Sequence, residues 1–197
     1  MLESLIGSKT RVSLLTLFLM NPGRQYYVRE ISRLIDVDVA PLRKELANLE
    51  NIGLLKSERV GNQKHYRVDE THYLYQDLQK LVLKTEGIAQ VLVERFSNSE
   101  AIEILFIYGS FAAGKAHERS DIDLFVVGEI KNDDLIASIT NTEQQLGREI
   151  NYTLLRKDEL LERIHKRDPF IMNVFREPKI VIAGHHELEE LGEPGKD

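Results

Sequence analysis

A chain of 197 residues has room for one large domain or two small ones, and its 42% hydrophobic and 29% charged residues exclude wholesale disorder. Cysteine is absent, which excludes disulfides and thiolate metal sites. The net charge of −6 is unevenly spread: residues 1–85 carry +3 and residues 86–197 carry −9, which fits a nucleic-acid reader joined to a different module. No apolar run reaches membrane-spanning length and no basic-then-apolar leader precedes the first helix, so a cytoplasmic protein without a membrane partner is expected.

Helical spacing begins near Ser8, with Val12, Leu15, Phe18 and Leu19 inward, and stops at Asn21-Pro22-Gly23. Tyr26-Tyr27-Val28 is short and β-prone. Residues 29–35 form a short amphipathic helix with Ile31 and Leu34 inward, and Asp36-Val37-Asp38 turns the chain. Asp38 caps the next helix, Pro41 lies in its first turn, and Leu42, Leu46 and Leu49 form its buried stripe up to Gly53. Residues 54–60 and 64–68 read as two strands joined by the tight turn Gly61-Asn62. Residues 71–97 are helical, with Leu74, Leu78, Leu81 and Val82 as one apolar set and Ile88, Val91 and Val93 as another. Tyr73 and Tyr75 are expected to pack rather than to do chemistry. Strands follow at 102–108, 122–127, 149–155 and 179–183, with helices at 133–146 and 157–166 between them. This alternation suits a small mixed sheet flanked by helices, with a fraying acidic tail from His185 onward.

Two aspartates one residue apart carry the most chemistry. Asp121 and Asp123 close the run Gly109-Ser110-Phe111-Ala112-Ala113-Gly114-Lys115-Ala116-His117-Glu118-Arg119-Ser120-Asp121-Ile122-Asp123. Alternation along a strand points both carboxylates the same way. Carboxylates held together repel unless a cation lies between them, and magnesium favours one or two carboxylates completed by water and phosphate oxygens. The Gly109-Ser110 turn offers amides and close approach to a phosphate.

This run resembles the signature of the minimal nucleotidyltransferases of the DNA polymerase beta-like superfamily. The resemblance implies that Asp121 and Asp123 hold Mg²⁺ or Mn²⁺ and that Gly109, Ser110 and Lys115 bind an NTP. It implies transfer of a nucleoside monophosphate to a hydroxyl with release of pyrophosphate. The sequence departs from the family twice. Asn151 stands where the third-strand aspartate aligns, so either Glu149, two residues earlier, supplies the third carboxylate or the site is catalytically silent. Ala113 stands where many relatives carry arginine.

The order of elements over residues 8–70, and the segment Leu46-Ala47-Asn48-Leu49-Glu50-Asn51-Ile52-Gly53-Leu54-Leu55, resemble the winged helix-turn-helix of bacterial and archaeal regulators. On that resemblance Ala40, Arg43, Lys44 and Asn48 of the recognition helix face DNA bases or phosphates. Arg59, Asn62, Gln63, Lys64 and Arg67 of the hairpin contact its backbone or minor groove. The expected organisation is a winged helix-turn-helix at 1–70, connecting helices at 71–98, an α/β nucleotidyltransferase domain at 99–184 and an acidic tail at 185–197. Expected partners are double-stranded DNA, an NTP, a second copy of the chain, and either a protein acceptor or, as in antitoxin relatives, a HEPN-type protein. Two functions stay open: a DNA-binding transferase, and a regulator whose degenerate domain senses nucleotide.

Overall fold

Ser8 starts the first long helix by accepting a hydrogen bond from the Arg11 amide at 3.3 Å. The computed structural model describes residues 2–86 and 101–192, divided into units at 1–86 and 87–197. The expected apolar set Ile88, Val91 and Val93 and the end of the tail, 193–197, lie outside the described residues.

In the first unit, α1 (Leu2–Ile6) precedes α2 (Lys9–Met20), β1 (Tyr26–Tyr27), α3 (Val28–Leu34) and α4 (Val39–Asn51). Strands β2 (Leu55–Val60) and β3 (Gln63–Val68) then form a hairpin, and α5 (Tyr75–Thr85) closes the unit. The three strands make an antiparallel sheet in the order β1-β3-β2, with Tyr26 opposite Tyr66 and Val60 opposite Gln63. The core is the expected one for α2 and α4: Val12, Leu15, Phe18, Leu19, Leu42, Leu46 and Leu49 are all buried.

Four expectations fail here. Leu34 is 56% exposed, because α3 ends there and only Ile31 of its pair turns inward. Asp38 occupies the N-cap position of α4, but its side chain makes no capping bond. Helix α5 begins at Tyr75 rather than Thr71, and its inward residues are Tyr75, Gln79, Val82 and Leu83. That face is fixed by packing on α2, where the Gln79 amide donates to the Leu19 carbonyl at 2.9 Å. Tyr73 does not pack in the core. It is exposed and stacks on His72 at 4.6 Å.

In the second unit, β4 (Ile102–Tyr108) runs into the single-turn α6 (Gly109–Ala112), then β5 (Ile122–Gly128), α7 (Asn132–Leu146) and β6 (Ile150–Leu155). Helices α8 (Lys157–His165) and α9 (Pro169–Arg176), strand β7 (Ile180–Ala183) and α10 (His185–Leu191) complete it. The sheet order is β6-β5-β4-β7; β4 is antiparallel to both β5 and β7, and β5 is parallel to β6. The mixed sheet is the one the alternation predicts. One face carries Ile104, Phe106, Phe125, Val127 and Leu155 under Leu160, Ile171, Val174 and Phe175. The start of the tail is not frayed: residues 185–191 form α10, whose Leu188 and Leu191 pack against that core.

This topology decides where chemistry can sit. The C-terminal end of β4 and the N-terminal ends of β5, β6 and β7 all reach one end of the sheet. Tyr108 is opposite Asp123, and Asp123 is opposite Asn151.

Candidate functional site

Gly109 makes the sharp exit from β4. Its φ of +69° is left-handed, and a Cβ there would collide with the Asp123 carboxylate. The glycine therefore lets the α6 turn and the acid pair approach as no side chain would permit. Ser110 follows in the first turn of α6, and the Lys115 amide returns to the Ser110 carbonyl at 2.8 Å. The Lys115 side chain itself is exposed.

Asp121 immediately precedes β5 and Asp123 lies within it, both partly buried. Asn151 lies beside them: its amide nitrogen donates to Asp121 Oδ2 at 3.3 Å, and it pairs in register with Asp123. Burial pushes the Asp123 carboxyl above the usual carboxylate range, and the negative charges of Asp121 and Glu177 push it further, against the Asn151 amide. The same environment raises the Tyr108 hydroxyl, chiefly by burial and also through Asp123 and Glu177. Thr153 opposes that rise by bonding the Tyr108 side chain.

Glu149 does not complete the acid pair. It is exposed and stands one residue before β6. Its carbonyl accepts from the Ile122 amide at 3.0 Å. Its surroundings form a shallow cleft of about 490 Å³ with Glu143, Gln144 and Gly147. Among the described residues, no group of three His, Asp or Glu side chains could hold a metal ion.

Sequence reading missed Arg148, Tyr108, Glu177 and Phe170. Arg148 is buried and donates to the carbonyls of His117, at 3.1 Å, and Ser120. Its guanidinium also lies 5.6 Å over the Phe111 ring. One side chain thus ties the residue before Asp121 to the helix after Gly109. Its charge stands in the sequence just before the third strand, but nothing in the spacing there signals burial. Glu177 reaches the site only because β7 returns beside β4.

Residues 90–187 match the family model described as polymerase beta, nucleotidyltransferase. The second unit carries a nucleotidyltransferase-like domain. No curated protein matches the chain. A crystal structure from Sulfolobus solfataricus, of a protein provisionally called a nucleotidyltransferase, is similar at 21% identity, with a TM-score of 0.28 over 44% of this chain and 79% of that one.

Within the nucleotidyltransferase-like domain, the donor set suits a divalent cation held by two carboxylates. Asp121 and Asp123 repel each other, and the Asn151 amide compensates only in part. Magnesium commonly sits on one or two protein carboxylates with phosphate oxygens completing its shell. Asn151 itself adds no charge and takes no proton from an acceptor hydroxyl.

The first unit holds the other residues singled out from sequence. Ala40, Arg43 and Lys44 are exposed on α4, whereas Asn48 is partly buried and bonds Glu45. Arg59, Asn62, Gln63, Lys64 and Arg67 are exposed on the β2–β3 hairpin. Lys64 is not a free cation: it meets Glu50 of α4 at 2.6 Å. A cleft of about 580 Å³ opens between α3, α4 and the hairpin, lined by Tyr27, Arg29, Arg43, Asn62, Gln63 and Lys64 among others. No helix among the described residues is long and apolar enough to cross a membrane.

Proposed function

We propose that this is a DNA-binding regulator whose nucleotidyltransferase-like domain binds a magnesium–NTP complex as a sensor, without transferring the nucleotidyl group. The observation that carries the reading is Asn151, which pairs in register with Asp123 and donates to Asp121. An amide there preserves the packing of the acid pair and removes the carboxylate that would accept an acceptor's proton. When bound, magnesium would neutralise phosphate charge and polarise the phosphorus under attack. Asp121 and Asp123 would hold it, while the Gly109-Ser110 turn would receive phosphate oxygens. Arg148 would keep that turn and the acids in register through Ser120 and Phe111.

DNA binding is supported by the first unit's order of elements, which resembles that of a winged helix-turn-helix. The exposed surface of α4 combines Ala40 and Ala47 with Arg43 and Lys44, small enough and basic enough to approach a groove. Because Glu50 holds Lys64, the contacts pass chiefly to Arg43, Lys44, Arg59 and Arg67. A homodimer reading two half-sites belongs to the same proposal.

Catalytic transfer remains the second reading, favoured by the match of residues 90–187 to the transferase family and by the nearness of Asp121 to Asp123. Its acceptor would be a protein side chain, as on a HEPN-type partner, a small molecule or a nucleic-acid end. Incubation with each labelled NTP and Mg²⁺ separates the two. Binding without transfer supports the sensor. Transfer that disappears in Asp121→Asn/Asp123→Asn supports the enzyme.

A further inference from the structure

We propose that Phe170, backed by Tyr108, is the seat of the nucleobase, so that base and phosphates bind on opposite sides of Tyr108. The proposal rests on the nucleotide-binding reading above and adds to it a place for the base. Three large apolar side chains are notably exposed in the described part of the second unit, Ile136, Leu161 and Phe170, and Phe170 is the aromatic one, 42% exposed. It also lies at the end of the sheet that carries the acids. Ile171, Val174 and Phe175 of α9 point into the core, and Phe170 falls outside that stripe.

The backbone under the ring is held by Asp168, and the ring itself by Tyr108. Asp168 Oδ1 accepts from the Phe170 amide at 2.9 Å and the Ile171 amide at 3.1 Å, which pins the start of α9. The Phe170 ring meets Tyr108 edge-on, with centroids 6.4 Å apart. Tyr108 in turn packs edge-on against Phe106 and Phe125 at 6.2 and 6.3 Å. A row of rings therefore runs from the buried core to one solvent-facing ring. Tyr108 is both the cross-strand neighbour of Asp123 and the residue before Gly109. A triphosphate at the acid pair thus has its base within reach of a fixed aromatic surface. Stacking needs only the π-face common to all bases, so the seat accepts every base and favours the larger purines.

The test titrates the full chain, with Mg²⁺ present, with ATP, UTP and inorganic tripolyphosphate. In Phe170→Ala, ATP affinity is expected to fall by roughly tenfold to hundredfold, with tripolyphosphate affinity unchanged and Phe170→Tyr close to the parent. The chain has no tryptophan, so Phe170→Trp adds a single reporter. Its fluorescence is expected to change with ATP and not with tripolyphosphate. Unchanged ATP affinity in Phe170→Ala, or equal loss of ATP and tripolyphosphate, would overturn the base seat. An indifferent Phe170→Trp signal would do the same. If the parent chain binds tripolyphosphate normally in those cases, the phosphate site stands without the base seat. If it binds neither ligand, both readings fall.

Discussion

Asp123 is the residue on which the site's electrostatics turn. Its raised pKa means that the cation-free folded state disfavours the ionised carboxylate. The associated stability is present below the usual carboxylate range, near about pH 4, and is lost as pH rises through the raised folded value. Asp123→Asn removes that loss. Thermal melts without divalent cation are expected to show a higher Tm for the variant at pH 7 and none of that gain in acid. The gain is expected to be under about 1 kcal/mol, since the group is only partly buried. Asn151→Asp does the reverse. It puts a third negative charge beside two that already repel, so the variant is expected to melt lower than the parent without Mg²⁺ at pH 7. It is also expected to gain more Tm from added Mg²⁺. Of this chemistry the sequence disclosed the acid pair and the asparagine, because strand alternation brings such residues together reliably. It did not disclose that Glu149 is exposed and forms no three-acid group with the pair, because strand spacing does not report how far a side chain stands from its neighbours.

At the scale of elements, the β4–α6 turn and the buried Arg148 set the distance between the Gly109-Ser110 turn and the acids. Gly109→Ala forces a side chain into left-handed backbone, at about 1–2 kcal/mol, and drives its methyl toward Asp123. The expected result is a lower Tm together with loss of NTP binding, read by denaturation and by titration on the same preparation. Elements with strong periodicity were legible from sequence: β4, β5, α2 and α4 fall within a residue or two of expectation. The inward face of α5 was not, because its Tyr75 and Gln79 are buried by partners on α2 rather than by hydrophobic pattern. Helix α10 was misread for a related reason. Its acidic composition suggests a solvated tail, yet two leucines are enough to dock it.

Over the whole molecule, charge is unevenly divided. The unit with an excess of cations presents Arg43, Lys44, Arg59 and Arg67 to solvent, and the acidic unit holds Asp121 and Asp123. If the first unit binds DNA through phosphates, log affinity falls linearly with log salt concentration. Arg43→Ala and Lys44→Ala are each expected to reduce that slope by roughly one, in anisotropy titrations on duplex DNA. A slope unchanged in both would remove α4 from the interface. The division into two units was legible from charge and from the change in element pattern. The pairing of Lys64 with Glu50 was not, because it depends on how the hairpin folds over α4.

The most direct test follows α-labelled NTP incubated with the full chain and Mg²⁺, scoring retention on the protein and conversion of the label together. The expected result is retention that disappears in Asp121→Asn/Asp123→Asn, with the label still in the triphosphate. Failure to retain any NTP, or conversion of the label that depends on Asp121 and Asp123, would contradict it.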